Sequence, residues 1–356
     1  MKILLIVLDG CSVSILEKAE TPFLDMIVNE GVSSLACSAV FPTATYTCHS
    51  SIITGCYPSK TGMIGNQYYD RAENMRKHFD HYDANAHIEC KTIFEYLTIL
   101  NPVSICEPVS KGAIEHISMS EINNLPLLKR NEEIFRRSLK QLDNNNNIRF
   151  LMINFSGVDS IGEIFGPNSI EYKKEIEKVD GFIEQLYTKI SDHEDILLII
   201  TADHGLTEIE STYNISKVIE KLYPDVVCLP SHRSAHIYNR SNSGDLERII
   251  GYLKRDEHVG RIIRNEDFYK FHLKHERSGD LIITAAEGIE FEVNGLKGSH
   301  GGLSEEELKV PLLILSSSNF KFELAEARII DIMPSILDIL KIKPVEKLDG
   351  KSLVLK

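Results

Sequence analysis

ILLIVLDG, residues 3–10, decides how this chain folds. Six consecutive apolar residues stop at Asp9-Gly10. A run that short, bounded by a turn signal, reads as a strand buried on both faces in a parallel sheet. Two later segments repeat the pattern. FLMINF, residues 150–155, is followed by Ser156-Gly157-Val158-Asp159, and ILLII, residues 196–200, by Thr201-Ala202-Asp203-His204-Gly205. In an open α/β sheet the ligand site lies beyond the carboxyl ends of the strands. Three strands that each deliver a carboxylate to that edge assemble a negative cluster, which is costly unless divalent cations relieve it.

A second segment has no such pattern. FPTATYTCHSSIITGCYPSKTGMIGN, residues 41–66, is rich in hydroxyls, lacks an aliphatic period and carries no charge before Lys60. It fits neither an amphipathic helix nor an alternating strand. A hydroxyl nucleophile held by metal ions at the mouth of a helix accounts for it, and a threonine is a weak nucleophile until a metal or base activates it.

With these pieces in place the chain resembles the nucleotide pyrophosphatase/phosphodiesterase branch of the alkaline phosphatase superfamily. The resemblance is carried by LDG (8–10), PTATYTCH (42–49) with TGCYP (54–58) and Asn66, GVDSIGEIFGP (157–167), TADHG (201–205) and GSHGG (298–302). The tail, with DIMPSILDIL and LDGKSL in residues 331–353, completes it. Together the six motifs stand in family order. They imply an α/β alkaline-phosphatase-like core with a central, mostly parallel sheet flanked by helices. Residues 1–204 and 296–356 would form that core, and residues 205–295, lying between two ligand motifs, a small inserted α+β cap.

The resemblance also implies roles. Thr45 falls on the nucleophile, which would form a covalent phosphothreonine, and Asn66 on the residue that hydrogen-bonds the phosphoryl oxygen. Asp9, Thr45, Asp203 and His204 fall on the ligands of one metal; Asp159, residue 163 and His300 fall on those of the other. Two divalent ions, zinc or manganese, are therefore expected. This chain has Glu163 where the family usually has histidine. A carboxylate is a harder donor and shifts the expectation for that site towards manganese. Tyr46 falls beside the substrate's organic group, and His49 reads as a structural hydrogen-bonding residue near the site. Arg233 is a candidate cation for an anionic substrate.

The leading expectation is a metal-dependent phosphodiesterase or nucleotide pyrophosphatase acting on a small, nucleotide-like phosphoester. Phosphonoacetate hydrolysis or phosphomonoester hydrolysis is the alternative within the superfamily. A phospho-ligand-binding protein without turnover is the alternative of another class, and Glu163 keeps it open.

Composition agrees with a globular enzyme. The chain has 356 residues, 43% hydrophobic and 26% charged, with a net charge of −13. No dense Lys/Arg block appears, which argues against a nucleic-acid polymer or an anionic membrane surface as partner. The seven cysteines are odd in number and include no CxxC pair, so reduced thiols are expected. The amino-terminal apolar run is shorter than a signal peptide's hydrophobic region, and no stretch approaches the length of a membrane span. A cytoplasmic location is the resulting expectation; nothing in the sequence sets an oligomeric state.

Periodicity predicts helices over residues 21–29, 89–99, 131–142, 171–190, 246–254 and 328–340. It predicts strands over 33–41, 235–238, 280–284, 289–293 and 311–316, and a polar surface excursion over 66–86.

Overall fold

The apolar run at the amino terminus forms the middle of a seven-stranded sheet in the computed structural model, which describes residues 1–240, 245–293 and 295–355. The strands are β1 (Lys2–Val7), β2 (Val32–Ser38), β3 (Val103–Ile105), β4 (Glu115–Ile117), β5 (Phe150–Asn154), β6 (Ile196–Thr201) and β7 (Lys309–Ser316). Their order is β2-β7-β6-β1-β5-β3-β4. Pairing is parallel from β6 through β4, and β7 runs against both β2 and β6. This is the alkaline-phosphatase-like α/β fold.

Register is what matters for the site. Val7 lies opposite Asn154 on one side and Thr201 on the other, so β1, β5 and β6 end together. The residues that follow them emerge at one edge. Every residue of these three strands is buried. Each buried aliphatic side chain contributes about 1.5–3 kcal/mol, and a one-residue slip would misplace the strand ends and the residues that follow them.

Four helices position the functional segments: α1 (Pro22–Glu30), α2 (Thr45–Thr54), α3 (Gly157–Phe165) and α4 (Ile170–Ser191). The apolar positions of α4 at helical spacing, Ile176, Val179, Ile183 and Leu186, are buried. Its Asp180 reaches across to the start of α1 and accepts hydrogen bonds from the N–H groups of Phe23 (3.2 Å) and Leu24 (2.8 Å). Thr21 makes no side-chain capping bond to α1, so a residue distant in sequence does the work of a cap.

Between β6 and β7 lies a separate four-stranded antiparallel sheet, ordered Val226–Ser231, Ser234–Asn239, Leu281–Ala285, Val259–Arg264. It has its own apolar cluster, including Ile219, Cys228, Ile237, Ile250 and Ile283. A two-residue ladder, Thr207–Glu208 against Gly298–Ser299, ties the two ends of this region together.

Several expectations are corrected. Residues 89–99 form a single helical turn, Ile93–Tyr96, and a short 3-10 turn, Thr98–Leu100. The Thr92/Glu95 capping box sets the start, and Pro102 disfavours helix at Asn101. Residues 66–86 are more than a surface excursion. They contain the hairpin Gln67–Asp70/Met75–His78, whose Tyr69 packs with Val227, Leu229 and Tyr238 of the second sheet. Only Ile289–Glu290 of residues 289–293 pairs as strand. The last helix spans Ile332–Ile339 behind a 3-10 turn, Ile329–Asp331. Among the described residues no helix is long and apolar enough to cross a membrane.

Asp180→Ala should lower stability by about 1–3 kcal/mol, because two backbone N–H groups lose their acceptor. The urea midpoint should fall with an unchanged denaturant slope.

Candidate active site

Three of the carboxylates expected at the strand ends meet there. Asp9 follows β1, Asp203 and His204 follow β6, and Asp159 lies in the first turn of α3, just past β5. Ligand atoms of Asp9, Asp203 and His204 lie within 4.8 Å of one another, as do those of Asp159, His204 and His300. Gly10 makes this approach feasible. Its φ is +66°, and a Cβ there would stand 2.4 Å from Asp159 Oδ1; its N–H donates to Asp203 Oδ1 at 3.1 Å. Asn154 Nδ2 donates to Asp9 Oδ2 at 2.7 Å and fixes that carboxylate's orientation.

Thr45 is the first residue of α2, preceded by Ala44 in extended conformation. Its Oγ1 lies 3.4 Å from His204 Nε2. The amino end of a helix offers unpaired N–H groups and a partial positive charge, a favourable setting for a phosphate. Thr43 clamps this loop to the GSHGG loop: its Oγ1 donates to the Gly302 carbonyl at 3.1 Å and accepts from Gly301 N–H at 2.9 Å. His300 Nδ1 donates to the Thr43 carbonyl at 2.7 Å, and His204 Nδ1 to the Gly205 carbonyl at 3.3 Å. Each bond fixes the ring and leaves Nε2 as the free donor atom for a metal.

Glu163, one turn after Asp159 on α3, joins a different group. Its carboxylate collects with His300 and with His232, a residue of the second sheet, all within 4.8 Å. The rings of His204 and His300 stack at 3.7 Å, and those of His300 and His232 lie 4.1 Å apart. The expected trio Asp159, Glu163, His300 is thus split between two groups that share His300.

The pocket is electrostatically unbalanced. Burial, then Asp203, raises the Asp9 carboxyl; burial, then Glu163 and Asp9, raises Asp159. Burial pushes Glu163 up to about 7. For Asp203, burial is outweighed by His204 and His49, which hold it down at about 2. Burial alone would lower His232, but Glu163, Glu290 and Glu292 raise it. Asp9 Oδ1, Asp159 Oδ1, Asp203 Oδ2 and Glu163 Oε1 are buried without a hydrogen-bond partner. Buried polar atoms are ordinarily paired. Four unpaired carboxylate oxygens beside imidazole nitrogens make a donor set that fits divalent cations.

His49 stands behind this cluster, fully buried, with Nδ1 2.7 Å from Glu107 Oε2 and Nε2 3.4 Å from Asp203 Oδ2. Burial disfavours its cation, but Glu107 and Asp203 raise its pKa. Glu107 was not foreseen. It follows β3 as Asp9 follows β1, but β3 is three residues long and contains Ser104, so the apolar signal is weak.

Two candidates sit differently from expectation. Arg233 does not face the pocket. It is buried, with Nε 3.2 Å from Glu307 Oε1 and Nη1 bonded to the carbonyls of Ala286 (3.2 Å) and Ile289 (2.6 Å). The expectation that it reaches an anionic substrate is corrected: a guanidinium so engaged ties the second sheet to the loop after His300, because Glu307 also accepts from Gly302 N–H at 2.7 Å. Asn66 lies beside Thr45, but its Oδ1 accepts the Tyr46 N–H at 3.3 Å. That leaves its Nδ2 as the group to offer a phosphoryl oxygen.

Tyr46 lines a cavity of about 540 Å³ with Phe79, Asp80, Tyr82, Asp83 and Glu107. Its hydroxyl donates to Asp80 at 2.8 Å, and its ring lies 5.5 Å from that of Phe79.

Residues 3–303 match the family described as type I phosphodiesterase / nucleotide pyrophosphatase. The chain is 26% identical to bis(5'-adenosyl)-triphosphatase ENPP4 of Pongo abelii, over 96% of this chain and 78% of that protein. It is also 26% identical to ectonucleotide pyrophosphatase/phosphodiesterase family member 7 of Rattus norvegicus, over 76% and 66%. Among solved structures, human ENPP5 superposes with a TM-score of 0.82 at 20% identity, covering all of both chains. An inactive variant of murine ENPP5 in complex with AMP superposes at 0.80 and 18%, again over both full chains. Phosphonoacetate hydrolase from Sinorhizobium meliloti, with phosphonoformate, gives 0.73 at 17% over 93% of each.

Arg233→Ala should act on stability more than on substrate choice. Removing one partner of a buried ion pair costs about 3–5 kcal/mol, and urea unfolding of the metal-free protein should show a loss of that order.

Proposed function

The chain belongs to the type I phosphodiesterase / nucleotide pyrophosphatase family, and on that footing we propose that it is a metal-dependent phosphodiesterase with Thr45 as nucleophile. The observation that carries the proposal is the position of Thr45 Oγ1. It stands at a helix amino terminus, 3.4 Å from His204 Nε2, beside carboxylate oxygens that have no protein partner.

Asp9, Asp203 and His204 would hold one cation with Thr45, and Glu163 and His300 would supply donors to the other, with Asp159 grouped beside His204 and His300 between the two. Bound cations lower the pKa of a hydroxyl and neutralise charge on phosphoryl oxygens. The protein's own part is positional. Thr43 and His300 brace the loop, Asn154 and Gly10 orient two carboxylates, and the start of α2 directs its dipole at the phosphate. Thr45 Oγ attacks phosphorus, and the bond to the leaving oxygen breaks to give a phosphothreonine. Water then cleaves that ester, restoring the threonine hydroxyl and releasing the phosphorylated product. Asn66 Nδ2, free of the bond its Oδ1 accepts from Tyr46 N–H, would donate to a phosphoryl oxygen during both displacements.

A diester is favoured over a monoester. A monoester or phosphonate carries extra anionic charge and needs cationic side chains. The described residues lining the cavity beside Tyr46 include Asp80, Asp83 and Glu107 but no Lys or Arg, and Arg233 is engaged by Glu307. The aromatic faces of Tyr46, Phe79 and Tyr82 suit an organic substituent such as a nucleoside, which agrees with the AMP named in the murine ENPP5 complex. We propose further that residues 205–295 act as a cap that governs substrate choice. A reducing, cytoplasmic setting is also proposed, supported by seven cysteines that are all free and buried.

Thr45→Ala should reduce turnover of bis-p-nitrophenyl phosphate at least a hundredfold while circular dichroism and melting stay near wild type, and Thr45→Ser should retain part of the rate. An alanine variant with more than a few per cent of the wild-type rate would remove Thr45 from the nucleophile's role.

Wild-type protein supplied with zinc or manganese should hydrolyse the diester at least tenfold faster than p-nitrophenyl phosphate. A monoester preference would overturn the diester reading, and no turnover with any metal would favour a binding protein.

A further inference from the structure

We propose that His232, at the tip of the hairpin joining Val226–Ser231 to Ser234–Asn239, is a metal ligand that completes the second cation position together with Glu163 and His300. The second sheet thereby returns to the site the imidazole that Glu163 removes from α3. The inference rests on the metal-dependent reading above and adds a ligand that none of the sequence motifs contains.

The backbone supplies the first reason. Ser231 pairs with Ser234, so His232 and Arg233 are the two loop residues of a tight hairpin. Such turns favour Gly, Asn or Asp, which tolerate left-handed backbone. His232 has φ +55°, a conformation that costs an ordinary L residue about 1–2 kcal/mol. Strain of this kind clusters at functional sites.

The surroundings hold the turn in place. Arg233 N–H donates to the His300 carbonyl at 2.9 Å, and Ser231 Oγ accepts from Asn66 N–H at 3.1 Å. Gly301 lies so close that a Cβ there would meet the Ser231 carbonyl at 2.5 Å. The hairpin tip is therefore fixed against the loop that carries His300, and the His232 ring lies 4.1 Å from that of His300.

The distances supply the second reason. Glu163 Oε1 lies 3.7 Å from His232 Nδ1 and 3.7 Å from His300 Nε2. Those separations are too long for hydrogen bonds. They are close to the spacing of two donors that share one ion, since ligands about 2.0–2.1 Å from a tetrahedral zinc stand roughly 3.3–3.5 Å apart. Glu163 Oε1 and His232 Nδ1 are both buried without a hydrogen-bond partner.

His232 also faces Glu290 and Glu292. Both oxygens of Glu290 accept hydrogen bonds, from Glu292 N–H and Ser299 Oγ, whereas Glu163 Oε1 is buried without one. One carboxylate and two imidazoles form a recognised zinc donor set. The bias towards manganese expected from Glu163 alone is thereby withdrawn, and the ion becomes a bond between the second sheet and the core.

The test uses His232→Gly, which keeps the left-handed turn without strain, and His232→Asn as a second variant that also tolerates it. Metal-free wild type and variants are titrated with zinc, bound metal is counted after dialysis, and the visible spectrum of the cobalt-loaded protein is recorded. Wild type should hold two ions. Both variants should bind the second at least tenfold more weakly, with an altered cobalt spectrum and a metal-free melting temperature no lower than wild type. Added imidazole should restore the second ion in His232→Gly. Retention of both ions at wild-type affinity in either folded variant overturns the proposal, as does a wild type that binds fewer than two. Failure of the phosphodiesterase reading looks different: a wild type loaded with two ions, one of them sensitive to His232, that cleaves no phosphodiester.

Discussion

Four carboxylates converge on one pocket in which, among the described residues, histidines and no Lys or Arg stand beside them. Asp9, Asp159, Asp203 and Glu163 each present a buried oxygen without a hydrogen-bond partner, and His49 behind them is shared between Glu107 and Asp203. Like charges in a low-dielectric setting raise one another's pKa and oppose folding. The rest of the molecule is organised around supporting that arrangement. The opposing force is the sheet: β1, β5 and β6 are buried throughout, and their aliphatic side chains hold the strand ends in a register that the charges alone would not choose.

Second-layer contacts convert proximity into geometry. Gly10 has no side chain, which lets Asp159 approach, while its N–H orients Asp203. Thr43 binds the loop before Thr45 to the loop of His300 through both its hydroxyl and its carbonyl. Arg233 and Glu307 bind the second sheet to that same loop. Three separate parts of the chain are therefore locked around the shared ring of His300. This explains why His232, from the hairpin of the second sheet, stands beside Glu163 and His300.

Much of this was legible before any coordinates. Short apolar runs ending in Asp or Asp-His identified the three central strands and the side chains gathered at their ends, because a strand buried on both faces has to be apolar along its length. The long helix α4 was legible from its 3.6-residue period. Residues 89–99 were misread as one helix, since local capping and a proline outweighed the apolar spacing. Residues 66–86 looked polar, yet Tyr68, Tyr69 and Phe79 are buried there, because Tyr69 packs on a sheet far later in the chain while Tyr68 and Phe79 join the main core. Arg233 read as a free cation until Glu307 was seen beside it.

By itself the sequence determined the class of fold, the order of the ligand motifs and the chemistry of their donors, because strand burial and turn residues are local properties of the chain. It also determined that Glu163 stands where an imidazole is usual. Only the tertiary structure decided which donors share a neighbourhood. Glu163 turns towards His232 and His300, away from the grouping expected with Asp159, and Glu107 closes on His49. Such pairings depend on where distant loops are brought by the register of the sheet and the docking of a second one. No local pattern encodes a contact whose partner lies dozens of residues away.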